Sequence, residues 1–155
     1  ALKKRLDPKI RAVGVFVDQP VETITAAAEQ IGLDVIQLHG QEDDDYIATL
    51  RQQTDLPIWK AFKIRSADDL AAAERSTADG VLLDNGYGTG QVFDWTLITQ
   101  FNRPFFLAGG LTPENLPDAI RTLRPALVDI SSGVETGGVK DRNKILAAVR
   151  AARDS

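Results

Sequence analysis

Six apolar, β-branched runs, each starting 22 to 24 residues after the last, constrain this 155-residue chain more than any other feature. They begin at Arg11 (RAVGVFV), Asp34 (DVIQLHG), Leu56 (LPIWKAFKI), Gly80 (GVLLD), Pro104 (PFFLAGG) and Ala126 (ALVDISSG). Segments with helical spacing alternate with them: VETITAAAEQIG, DDDYIATLRQQ, SADDLAAAERS, FDWTLITQF, PENLPDAIRTLR and RNKILAAVRAARDS. Ser66 and Thr112 read as N-caps, Pro113 as a first-turn proline and Gly32 as a C-cap. Strands this continuously apolar are buried on both faces, and strict alternation with helices makes the sheet parallel with right-handed crossovers. A leucine-rich repeat has a similar period, but its Leu-x-x-Leu-x-Leu and Asn pattern is absent. The fold class is α/β.

The strand ends choose between an open sheet and a barrel. Polar or glycine residues stand at the carboxyl end of nearly every strand: Asp18, Gln37 with His39, Lys63, Asp84, Gly109 with Gly110, and Asp129 with Ser131. A barrel brings all those ends to one mouth, whereas an open sheet uses only its switch point. Six βα units then correspond to strands three to eight of a (β/α)8 TIM barrel, an incomplete barrel occupying residues 1–155 as one partial domain. ALKKRLDPKI at residues 1–10 reads as the end of a preceding helix, stopped at Asp7-Pro8. GYGTG at residues 86–90 follows a strand but lacks the Gly-Lys-Ser/Thr ending of a P-loop; it suits a loop beside Asp84.

The last two units suggest a ligand. Gly109 and Gly110 lie between a strand and a helix, where bare backbone N–H groups can approach something small and anionic. Ser131, Ser132 and Gly133 occupy the next loop and add hydroxyls and further amides. Barrels commonly hold phosphate with the loops after strands seven and eight, so this pair of loops is expected to be a phosphate cradle that needs no lysine.

Composition narrows the partners. A formal net charge of -4 without a Lys/Arg cluster argues against a nucleic-acid surface. The sequence holds no run of eighteen apolar residues, so no membrane span is expected. It has no cysteine and one histidine, which leaves carboxylates for nearly every ligand of any metal site. A cytoplasmic, cofactor-free protein with no metal is the expectation.

The motifs QLHG, VLLDNGYGTGQVFDW, LAGGLTPEN and DISSGVETGGVKD, in that order and spacing, resemble the phosphoribosylanthranilate isomerase family of tryptophan biosynthesis over essentially the whole chain. The resemblance implies a metal-free, cofactor-free Amadori rearrangement of N-(5'-phosphoribosyl)anthranilate to 1-(2-carboxyphenylamino)-1-deoxyribulose 5-phosphate. It makes Asp84 the catalytic general acid, gives the phosphate to Gly109, Gly110, Ser131 and neighbouring amides, and lines the substrate pocket with Gln37, His39 and Asp129. The family's base is a cysteine in a Lys-Ile-Cys-Gly segment on the first strand, and an arginine after the second strand helps grip the substrate. This sequence has neither. Two readings follow: an isomerase whose first two strands are absent from this chain, by truncation, splitting or engineering, and which is inactive alone unless that segment docks in trans, or a silent barrel fragment that binds phosphate or associates with itself through open sheet edges. A third, indole-glycerol-phosphate synthase or another ribose-phosphate barrel, lacks its catalytic lysine and glutamate pattern.

Each of these residues also has a plainer reading. Asp84 before Asn85-Gly86 is a common turn former. His39 before Gly40 suits a hydrogen-bonded wall. Asp43, Asp44 and Asp45 complement a helix N-terminus. Trp59 and Trp95 suit packing. At most one of Lys60 and Lys63 points inward, since they lie on opposite phases of a strand.

Overall fold

The computed structural model describes residue 3, residues 6–84 and residues 95–155. The elements follow the expected alternation except between β4 and β5, where no α-helix stands among the described residues: β1 (Val13–Phe16), α1 (Val21–Ile31), β2 (Val35–Leu38), α2 (Asp44–Arg51), β3 (Ile58–Lys63), α3 (Ala67–Arg75), β4 (Gly80–Asp84), β5 (Phe106–Ala108), α4 (Leu116–Leu123), β6 (Leu127–Val128) and α5 (Arg142–Asp154). The six strands are ordered as in the chain through one sheet, and each pairing with a described register is parallel. The chain divides into two compact units, residues 1–61 with 76–81 and residues 62–75 with 82–155.

In the first unit the helices bury one stripe each. Val21, Ile24 and Ala28 of α1 and Ile47 and Leu50 of α2 pack with Ile36, Leu38 and Ile58 of the strands in one cluster. All four residues of β2 are buried, as a two-faced strand requires. Each such side chain contributes on the order of 1.5–3 kcal/mol when fully buried. Helix ends match their sequence signals: Gly32 takes φ 76° at the C-cap of α1, and Asp43 accepts the Tyr46 N–H at 2.9 Å to start α2. Strand starts are tied by aspartates in a repeated pattern. Asp34 accepts the Ala12 N–H at 2.7 Å, and Asp79 accepts the Ile58 N–H at 2.7 Å. Asp44 does more than complement its helix: its carboxylate accepts the Thr77 N–H at 2.9 Å and the Thr77 hydroxyl at 2.8 Å.

The second unit is built around Leu82, Leu83, Leu107, Leu111, Leu116, Ala119 and Val134, with Phe101 and Phe105 edge-to-face at 5.7 Å. Three expectations are corrected here. FDWTLITQF is not a helix in its described part: Ile98–Gln100 forms a single 3₁₀ turn. Its β-branched and aromatic residues pack a short connection instead of propagating a helix. Thr112 is not the residue before α4, which starts four residues later behind Asn115; its Oγ1 instead accepts the Asn115 N–H at 3.4 Å, ahead of the helix. The Asn115 side chain accepts the Thr112 N–H at 2.8 Å and donates to the Gly110 carbonyl at 2.9 Å, so the segment closes as a side-chain-bonded turn before the helix begins. Finally, a hairpin that the spacing did not suggest, β7 (Glu135–Thr136) and β8 (Val139–Lys140), stands between β6 and α5. Gly137 and Gly138, at φ 60° and 79°, supply its two-residue turn. Residues 1, 2, 4 and 5 of the expected helix end, and the GYGTG loop, lie outside the described residues.

Candidate active site

In the second unit the register brings the polar strand ends level. Asp84 pairs with Ala108, and the Asp129 N–H donates to the Leu107 carbonyl at 2.8 Å, continuing the ladder one residue past β6. Residues level in a parallel ladder share a face, so Asp84, Ala108 and Asp129 lie on one side of the sheet. Val128 and Ile130 alternate to the other side, where they line an apolar groove with α5. Asp84 and Asp129 are both partly buried.

Directly beyond this level the two predicted anion loops meet. Gly109 and Gly110 adopt φ 87° and 64°, a conformation that turns the chain sharply and that L side chains resist. Gly133 packs so closely that a Cβ there would lie 1.8 Å from the Leu111 carbonyl oxygen. Loop on loop, the Gly109–Gly110 and Ser131–Gly133 turns therefore form one backbone surface, with Gly110, Ser131 and Ser132 exposed. A lysine stands beside this surface after all. Lys140 Nζ donates to the Ser131 carbonyl at 2.9 Å and to its Oγ at 3.1 Å, and pairs with Glu135 at 2.7 Å. The Gly-Gly hairpin signal in ETGGVK would have revealed it. Asp141 caps α5 by accepting the Asn143 N–H at 2.8 Å. The Thr136 hydroxyl, followed by the Lys144 and Asn143 amides, holds its carboxyl below the ordinary value. The Thr112 hydroxyl does the same for Glu114.

The first unit carries Gln37 and His39. Both lie on the strand face opposite the helix-packed Ile36 and Leu38, and the Gln37 amide meets His39 Nδ1 at 3.3 Å. Gln37 is buried and His39 partly so. Behind them, on the helix side, lies a polar cluster that sequence reasoning missed. Glu42 Oε1 accepts the Asp18 N–H at 2.7 Å, and Oε2 accepts the Gly40 N–H at 2.9 Å and faces Lys60 Nζ at 3.3 Å. Lys60 also donates to the Gly40 carbonyl at 2.8 Å. Of the two lysines on β3, Lys60 is buried in this cluster and Lys63 is exposed. The signal available in advance was a lysine in phase with Ile58, hence on a buried face, opposite an acid just beyond the preceding strand.

The structure thus brings together Asp84, Gly109, Gly110, Asp129, Ser131, Ser132 and Gly133 in the second unit, and pairs Gln37 with His39 in the first. Among the described residues no group of three or more His, Cys, Asp or Glu side chains is arranged to hold a metal ion. No helix there is long and apolar enough to cross a membrane.

Residues 2–151 match the family model described as N-(5'phosphoribosyl)anthranilate (PRA) isomerase. The chain belongs to this isomerase family. It is 42% identical over 153 residues to the N-(5'-phosphoribosyl)anthranilate isomerase of Endomicrobium trichonymphae, covering 96% of this chain and 75% of that one. The phosphoribosyl anthranilate isomerase structure from Thermotoga maritima superposes with a TM-score of 0.89 at 34% identity, covering 99% of this chain and 78% of that one. A phosphoribosyl anthranilate isomerase structure solved in complex with reduced 1-(o-carboxyphenylamino)-1-deoxyribulose 5-phosphate gives a TM-score of 0.86 at 33% identity, over 99% of this chain and 77% of that one. Membership of the isomerase family and the parallel βα architecture are what the motifs led one to expect.

Proposed function

We propose that this chain works in tryptophan biosynthesis on N-(5'-phosphoribosyl)anthranilate, with Asp84 as general acid and the last two strand-to-helix turns as the phosphate site. The observation that carries the reading is the backbone surface formed where Gly133 packs on Leu111, next to the level of Asp84 and Asp129. Amides freed by glycine suit a phosphate because they present N–H dipoles at contact distance, and Lys140, its charge paired with Glu135, holds Ser131 beside them. The reduced product analogue bound by a family member carries such a phosphate. A cytoplasmic setting and the (β/α)8 barrel form belong to the same proposal.

The chemistry follows from the groups. Opening the ribose ring needs a proton on the ring oxygen while the anthranilate nitrogen forms the Schiff base. A partly buried carboxyl at a strand end is suited to deliver it. Loss of the C2' proton then gives an enolamine, which tautomerises to the ketone. The family resemblance assigns that second transfer to a cysteine, a residue type this chain does not contain. Phosphate held away from the reacting carbons fixes their position. Gln37 and His39 are proposed to face the organic part of the substrate, and Asp129 the ribose side. Self-association is proposed too, supported by the exposure of Val13, Val15 and Val17 along the first strand of the sheet, and measured as mass in solution.

Calorimetric titration with the reduced product analogue tests the binding half. Saturable binding is expected from the parent chain, with strong loss in Gly110→Val; binding unchanged by that substitution would remove the phosphate assignment. Asp84→Asn tests the acid: with the family's cysteine-bearing first-strand segment supplied to both, turnover should fall about 10²–10⁴-fold relative to the parent with analogue affinity kept. Turnover within a few-fold of the parent would move the acid elsewhere.

A further inference from the structure

The polar cluster behind Gln37 and His39 has no place in the acid step or the phosphate site, yet it is the most deeply buried set of charges described. The side chains of Glu42 and Lys60 are 2% and 6% exposed. We propose that Glu42 and Lys60 are positioning residues that lock the turns after β1 and β2 from the helix side, so that the opposite face presents Gln37 and His39 in one fixed arrangement to the organic part of the substrate.

Three features carry this. First, the carboxylate is fully used. Oε1 takes the amide of Asp18, Oε2 takes the amide of Gly40, and Lys60 closes the ring by binding both Oε2 and the Gly40 carbonyl. Second, the turns it holds are ones the backbone resists. Asp18 sits at φ 49°, a left-handed conformation costly for a non-glycine residue. Its Oδ1 accepts the Gln41 N–H at 2.6 Å, and a Cβ on Gly40 would lie 2.2 Å from that same oxygen. The two turns are therefore interlocked, and a shift of either moves the other. Third, Gly40 immediately follows His39, whose own N–H is fixed by the Phe16 carbonyl at 2.8 Å. The ring sits between a backbone pinned on both sides. In the arrangement where the Gln37 amide donates to Nδ1, the ring proton is on Nε2, so the two ring nitrogens report whether this contact is kept.

A hydrophobic pair of the same volume would spare the desolvation of two charges but would leave the Asp18 and Gly40 amides and the Gly40 carbonyl without these partners. A buried ion pair that instead holds two amides and a carbonyl at the edge of a binding face is better accounted for by geometry than by stability.

The substrate part of this inference rests on the isomerase reading, and the test separates the two. Glu42→Gln keeps the shape but leaves one carbonyl oxygen to serve two amides, and Glu42→Gln with Lys60→Met removes the unpaired buried ammonium should the single variant not fold. His39 is the sole histidine, so its ring nitrogens give an unambiguous long-range ¹H–¹⁵N spectrum. Folded variants should show a changed or averaged tautomer pattern. Affinity for the reduced product analogue should fall roughly ten-fold or more, the scale of a small misplacement of a binding group, while inorganic phosphate binds as in the parent. A parent-like His39 spectrum together with parent-like analogue affinity in a folded variant would overturn the positioning role. If the parent chain itself ignores the analogue, the isomerase reading falls instead, and the His39 spectrum alone still decides whether the pair positions the ring.

Discussion

The two units solve one problem, how to fix a turn after a parallel strand, with opposite materials. In the first, side chains do it: Glu42, Lys60 and Asp18 tie the turns after β1 and β2, and a fully buried β2 stands between two packed faces. In the second, backbone does it: glycines at positive φ and the close approach of Gly133 to Leu111 shape the turns, and β6 is only two residues long. Packing differs in the same sense. Ile36, Leu38 and Ile58 are wholly buried, whereas Ile145 and Val149 of α5 remain 39% and 42% exposed along an apolar groove of about 450 Å³. Turns pinned by side chains from behind can present side chains in front, which suits recognition of an organic ring or sugar. Turns made of bare backbone present amides, which suits an anion.

The contrast breaks most visibly in stability. Ile36→Ala removes a wholly buried side chain and should cost about 2–5 kcal/mol by denaturant titration, with Ile145→Ala on the half-exposed helix face within about 1 kcal/mol of the parent. Equal losses would mean that the groove lined by Ile145 is closed in solution.

The backbone-built turns can be probed by one atom. Gly133→Ala places a methyl against a carbonyl that cannot move aside, so it should destabilise by about 1–3 kcal/mol and weaken phosphate binding. Gly137→Ala meets nothing within 4 Å and carries only the cost of its positive φ, about 1–2 kcal/mol, with phosphate binding kept. If both lose phosphate equally, the packing of Gly133 on Leu111 is not what shapes the cradle.

The smallest effect is in acid. The Thr77 N–H, then the Thr77 and Ser76 hydroxyls, hold the Asp44 carboxyl below its ordinary 3.8. A depressed folded pKa adds stability that is complete above the unfolded value and lost as pH falls through the folded one. Asp44→Asn should therefore lower stability slightly near neutrality and flatten its decline below about pH 4. Parallel pH curves for variant and parent would show that this link is not made in solution.

Much of this was legible in the residues. The spacing of apolar runs set the six parallel strands and most of the helices between them because a strand buried on both faces and a helix buried on one leave different periods in the chain. Gly32, Asp43 and Ser66 marked helix ends because capping chemistry is local. The glycine pair marked a sharp turn at a strand end because a positive φ favours glycine, and Gly109 and Gly110 take it; the anion proposed for that turn rests on the same bare backbone. Tertiary structure alone decided the rest. Asn115 took the position before α4 while its side chain reached back to Thr112 and Gly110, contacts no periodicity encodes. Strand phase put Lys60 on the face of Ile58, but that it would meet Glu42, eighteen positions earlier in the chain and with two amides already bound, was decided by packing. Local sequence fixes φ, ψ and the face a side chain takes. Which distant charge meets it there is a property of the packed chain, since an ion pair is buried only where every remaining polar group around it also finds a partner.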